Sequence, residues 1–127
     1  MLTHVCVGTN DLPRAQIFYD AIFAVLGARP PFADTPNNRL IYKHEGVLFL
    51  VGLPIDGEPA THANGGTVGL KMESPEQVDA WYAAGIAHGG TAIEDPPGLR
   101  QPANLYLAYL RDPDGNKLCA SYRMPKG

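Results

Sequence analysis

The chain has 127 residues, 45% of them hydrophobic and 18% charged, with 10 Lys and Arg against 13 Asp and Glu. That is enough apolar material for one domain with its own core, which excludes a disordered tail, and the acidic balance excludes a nucleic-acid surface. No apolar run reaches the ~20 residues of a membrane span, and the N-terminal MLTHVCVGTND has neither the basic start nor the apolar stretch of a signal peptide. The two cysteines, Cys6 and Cys119, sit inside apolar strand-like runs. They read as reduced thiols of a cytoplasmic protein rather than as a disulfide framework.

In chain order, Thr3–Gly8 reads as a strand, and a helix follows with Asn10 or Asp11 as its N-cap. Phe18, Ala21, Ile22 and Val25 form its apolar stripe at helical spacing, and Gly27 suits a left-handed C-terminal cap. A short extended piece is expected near Ala28–Phe32, then strands at Arg39–Lys43 and Val47–Leu53 around the turn His44-Glu45-Gly46. Residues 54–66, PIDGEPATHANGG, have the Gly/Pro content of a linker. The pattern then repeats: a strand from Thr67 and a helix whose Ser74 and Gln77 are spaced as a capping box around Pro75. Val78, Trp81, Tyr82 and Gly85 form its stripe, and Gly89-Gly90 ends it. A short extended piece at Thr91–Glu94 precedes strands Leu105–Arg111 and Lys117–Tyr122, joined by Asp112-Pro113-Asp114-Gly115-Asn116. There Pro sets φ early and Gly supplies a positive φ, so a tight hairpin is expected.

Residues 4–27 and 67–90 share the order strand, turn, helix, glycine, with identities at Val5/Val68, Tyr19/Tyr82 and Gly27/Gly90. The expected architecture is therefore α+β: one domain over 1–127, with module one about 1–53 and module two about 67–123. Alternation along the strands puts Val5, Val7, Val68, Leu70, Leu118 and Ala120 against the helices. His4, Cys6, Lys117, Cys119 and Ser121 then fall on the opposite face, which is a plausible place for a ligand.

The segments HVCVGTNDLPRAQIFYDAIFAVLG, LYLAYLRDPDGNKLCAS and PPGLR together resemble the vicinal-oxygen-chelate superfamily, which includes glyoxalase I, bleomycin- and fosfomycin-resistance proteins and extradiol dioxygenases. The resemblance covers nearly the whole chain. It implies paired βαβββ modules, a U-shaped mixed eight-stranded sheet with helices on the convex side, a small-molecule ligand and often a homodimer. Metal-dependent members carry ligands at positions that match His4 and Leu50 in module one and Thr67 and Cys119 in module two. Of these only His4 is a usual ligand, so the family metal is not expected here; the alternative is a divalent metal near His4 and Cys119.

His4 could act as a general base or simply be a hydrogen-bonded strand residue. Tyr109 is expected across from Cys119, its hydroxyl placed to bind a substrate oxygen, with Tyr42 as its rough counterpart in module one. Cys119 could be a soft ligand or a buried packing residue. Arg100, in the PPGLRQPAN loop, could clamp a carboxylate or phosphonate or be merely solvated. Three functions remain open: a metal-free binding module, a metal-dependent glyoxalase-like lyase, isomerase or dioxygenase, and a protein whose cup is filled by its own side chains.

Overall fold

The computed structural model describes residues 1–126. Its elements are β1 (His4–Gly8), α1 (Leu12–Val25), β2 (Phe32–Asp34), β3 (Arg39–His44), β4 (Val47–Gly52), β5 (Val68–Lys71), α2 (Pro75–Ala87), β6 (Thr91–Arg100), β7 (Leu105–Arg111) and β8 (Lys117–Arg123). The strands form two four-stranded sheets, in the orders β1-β4-β3-β2 and β5-β8-β7-β6. In each, the first strand runs parallel to its neighbour and the other pairings are antiparallel. The two halves are thus the same βαβββ unit, and β1 and β5 are edge strands.

The helix boundaries follow from local chemistry. Asp11 caps α1 by accepting the Arg14 N–H at 3.1 Å. Ser74 Oγ accepts the Gln77 N–H at 3.1 Å, and Gln77 Oε1 in return accepts the Glu73 N–H at 2.7 Å. The Gln77 amide also donates to Val25 O, which ties the start of α2 to the end of α1. Gly27 and Gly89 follow the two helices at φ +76° and +101°, where a side chain would be strained.

Two extended pieces differ from the sequence expectation. The first lies at Phe32–Asp34 rather than within Ala28–Phe32, because Pro30 and Pro31 have no N–H to give a ladder. The second runs on to Arg100, with its register broken between Ile93 and Gly98. The intervening Glu94-Asp95-Pro96-Pro97 stands out of the ladder, so two prolines are accommodated without a lost bond. Arg100 accordingly ends β6 instead of sitting in a loop.

Each helix covers one face of its own sheet, and the helices pack on each other. All the helix-side residues form one core. Tyr19, Phe23, Tyr42 and Phe49 make an aromatic cluster, with Phe23 stacked on Tyr42 at 4.6 Å and Tyr19 tilted on Phe49 at 5.3 Å. Gly85 lets the helices and β7 close up: a Cβ there would lie 2.3 Å from Leu110 Cδ1 and 3.4 Å from Phe18 Cε1.

The modules are also joined by polar bonds at the β7–β8 turn. Asp112 is buried, and its carboxylate accepts from Tyr19 Oη, Asn116 Nδ2 and the Asp114 and Asn116 N–H groups. Asp114 accepts from Thr9 Oγ1, Asn10 N and Arg14 Nη2, while Asn116 Nδ2 also reaches Gly8 O. The turn is closed by Gly115 N donating to Asp112 O, with Gly115 at φ +94° as expected.

Candidate functional site

With the helices on one face of each sheet, the opposite faces carry the chemistry. Registers assign residues to them, because cross-strand partners share a face. On the first sheet, His4, Cys6, Leu48, Leu50, Ile41 and Lys43 lie on this open face, and Leu50 sits between Cys6 and Ile41. His4 is exposed, with Nδ1 2.8 Å from Thr3 Oγ1. Leu50 is buried.

On the second sheet Tyr109 and Cys119 are direct cross-strand partners, as their spacing from the hairpin predicts. Lys117 Nζ lies 4.9 Å from the centre of the Tyr109 ring and forms an ion pair with Glu94 of the β6 bulge. Arg100, on the same face, turns its guanidinium back onto the carbonyls of Asp95 and Pro96 at 3.1 and 3.0 Å, bracing that bulge. Burial pushes the Cys119 thiol up, against the lowering influence of Tyr109, Lys117 and Arg100. Burial, then the neighbouring Cys119, raises the Tyr109 phenol. At neutral pH the pair therefore offers a protonated thiol and a protonated phenol, which are hydrogen-bond donors rather than nucleophiles.

Tyr42 is not the counterpart of Tyr109. The residue paired with Leu50 as Tyr109 is paired with Cys119 is Ile41. Tyr42, one position on, points to the helices, is buried, and donates to Asp20 Oδ1 at 2.7 Å. A one-residue error in strand register moves a side chain to the other face. Burial and the Asp20 carboxylate raise the Tyr42 phenol far above its ordinary range. Thr67 lies just before β5 and, with Tyr42, lines a groove of about 370 Å3 between the modules. The structure therefore brings Tyr109 and Cys119 together with Arg100 on one face, places His4 and Leu50 on the open face of the other sheet, and separates Tyr42 from both sets, while Thr67 lies at the groove between the modules two positions before Gly69, the partner of Cys119. Glu94 belongs to the Tyr109 cluster but escapes periodicity, because it sits in the bulge outside the ladder.

The donor set does not fit the metal of the resembled family. Leu50 has no lone pair to offer and Thr67 carries a neutral hydroxyl, so at most His4 and Cys119 remain as donors among the four positions. Among the described residues no three His, Cys, Asp or Glu side chains come together as a metal group. Nor is any helix among them long and apolar enough to cross a membrane.

A family model described as Glyoxalase/Bleomycin resistance protein/Dioxygenase superfamily matches residues 1–120. The crystal structure of a glyoxalase/bleomycin resistance protein from Albidiferax ferrireducens T118 is 52% identical, with a TM-score of 0.91 over 98% of this chain and 99% of that one. A glyoxalase/bleomycin resistance protein/dioxygenase family enzyme from Burkholderia phytofirmans PsJN is 19% identical, at TM-score 0.74 over 96% and 98% of the two chains. Lactoylglutathione lyase from Agrobacterium tumefaciens is 21% identical, at TM-score 0.70 over 96% and 92%. The last two, at such identity, share the fold. No curated protein matches the chain.

Proposed function

The chain belongs to the glyoxalase/bleomycin resistance protein/dioxygenase superfamily, and from that premise we propose that it binds a small organic molecule on the open sheet face around Tyr109 without a resident divalent metal. The observation that carries this reading is the Tyr109–Cys119 pair: Cys119 stands at a position that matches a ligand of the resembled metal enzymes, with the Tyr109 phenol paired across from it and Lys117, Glu94 and Arg100 beside it. Tyr109 would donate to an oxygen of the ligand, and Lys117, held by Glu94 and the ring, would keep the tyrosine oriented. Cys119 would pack against the ligand and donate weakly. His4, exposed on an edge strand, would act as an acid–base or hydrogen-bonding group only in a pocket that another surface helps to form. A second copy of the chain pairing at the β1 and β5 edges would supply that surface, so a homodimer is part of the proposal. The two free thiols fit a reducing, cytoplasmic setting.

The test is a thermal-shift screen of small organic molecules, each run with divalent metal and with chelator. A bound ligand raises the apparent stability by mass action. The expected result is a ligand whose shift survives chelation and weakens in Tyr109→Phe. A response that appears only with added metal would instead favour a metal-dependent lyase, isomerase or dioxygenase.

A further inference from the structure

The cations of this acidic chain are sorted onto one surface. Strand alternation on the second sheet places Lys71, Arg100, Arg111, Lys117 and Arg123 on the open face, half of the chain's 10 Lys and Arg. No Asp or Glu occupies a ladder position there. Three of the five are committed: Lys117 to Glu94, Arg100 to the bulge carbonyls, and Arg111 to Gly115 O at 2.6 Å. The other two are available. Lys71 has only Glu73 at 3.9 Å, an exposed pair of little strength, and Arg123 enters no ion pair among the described residues.

These two cations line one cavity. A hollow of about 540 Å3 runs along β5, β8 and the start of β7, bounded by Gly69, Lys71, Glu73, Leu105, Ser121 and Arg123. The registers set Lys71 beside Ser121, Ser121 beside Leu107, and Arg123 beside Leu105. One end of the hollow thus holds an ammonium, a hydroxyl and a guanidinium, with the Glu73 carboxylate beside the ammonium at 3.9 Å. The floor leading toward Tyr109 and Cys119 is apolar, and Gly69 leaves it open, since a Cβ there would meet nothing within 4 Å.

We propose that this hollow takes an amphipathic organic anion, its acid group held by Lys71, Ser121 and Arg123 and its apolar body laid over Leu105, Leu107 and Tyr109. A carboxylate or phosphonate accepts from all three polar groups, and Arg123 can engage it with two parallel bonds. A cationic ligand would face five positive side chains against two carboxylates, Glu73 and Glu94, on its own side of the sheet. The inference rests on the small-molecule reading above and narrows it to a ligand class.

The experiment is calorimetric titration of the full chain with three probes of one shape: 2-naphthoate, 2-naphthamide and 2-naphthylmethylamine. Naphthoate is expected to bind about tenfold or more tighter than the amide, and raising NaCl from about 0.05 to about 0.5 M should weaken only the naphthoate. Lys71→Gln with Arg123→Gln, both exposed, should remove that preference while leaving the unfolding midpoint unchanged. Equal or tighter binding of the amide or the amine overturns the anion assignment and leaves the open-face site standing. Failure of all three probes to bind overturns both.

Discussion

The two hairpin tips are the most instructive pair of regions in the molecule, because equal topology has been put to unequal use. In module one the β3–β4 turn is two residues, Glu45 at φ +50° and Gly46 at φ +80°, exposed and tied to little beyond a 3.9 Å contact with His44. That is the mirror-image turn that suits the twist of a hairpin. In module two the β7–β8 turn is longer, and its Asp112, Asp114 and Asn116 side chains reach into module one. Asp112 is a buried carboxylate with four donors on it, so the turn is a clasp between modules as well as a link between strands. The same sequence signal, a glycine at positive φ between two strands, marks both turns. Only burial separates their weight in stability.

The largest effect expected from that contrast is at Asp112. Asp112→Ala removes the acceptor and leaves Tyr19 Oη and two backbone N–H groups without partners in the interior. A loss of about 3 kcal/mol in chemical denaturation is expected, near the upper end for a broken buried network. A loss below about 0.5 kcal/mol would mean that the clasp is ornamental. Gly115→Val comes next. Its φ of +94° resists a β-branched residue, and the added Cβ would sit 3.4 Å from His62, so about 1–2 kcal/mol should be lost.

The two cysteines sharpen the comparison between the sheets. Cys6 is exposed on β1, whereas Cys119 is buried on β8 with its thiol pushed up. A raised pKa means less thiolate at any pH below it, so alkylation of Cys119 should lag that of Cys6 by about tenfold or more near neutrality. The Cys119 rate should go on climbing at alkaline pH, above the ordinary thiol range. Peptide mapping by mass spectrometry reads both rates; equal rates at neutral pH would contradict the protonated-thiol assignment. The smallest effect is at the module-one tip. Glu45→Asn puts a residue that tolerates the left-handed region at φ +50°, and a gain of about 0.5 kcal/mol in denaturation is expected.

Which parts of this were legible in the sequence follows from which forces are local. The caps at Asp11 and Ser74, the glycine stops and the Asp112–Asn116 hairpin are decided within a few residues, and they stand where the spacing puts them. The Tyr109–Cys119 pairing is legible for the same reason, since a tight turn fixes the register on either side of it. Tyr42 shows the limit. Its face depends on where β3 meets β4, and an error of one residue exchanges core for open surface. Glu94 lies beyond that limit too, as does the strand position of Arg100, because a bulge driven by two prolines breaks the alternation that would reveal them. The clasp role of Asp112 is a long-range matter, with Tyr19 far away in the chain, and nothing in a turn signal announces such a partner.

The most direct test of the central claim is elemental analysis of the full chain purified without chelator from metal-replete medium. Leu50 and Thr67 leave at most His4 and the Cys119 thiol as donors among the four positions. A divalent ion wants about three protein ligands besides its open position. The expected result is a metal content well below stoichiometric, unchanged in His4→Ala. Near-stoichiometric zinc, nickel, iron or manganese that disappears in His4→Ala would contradict the account.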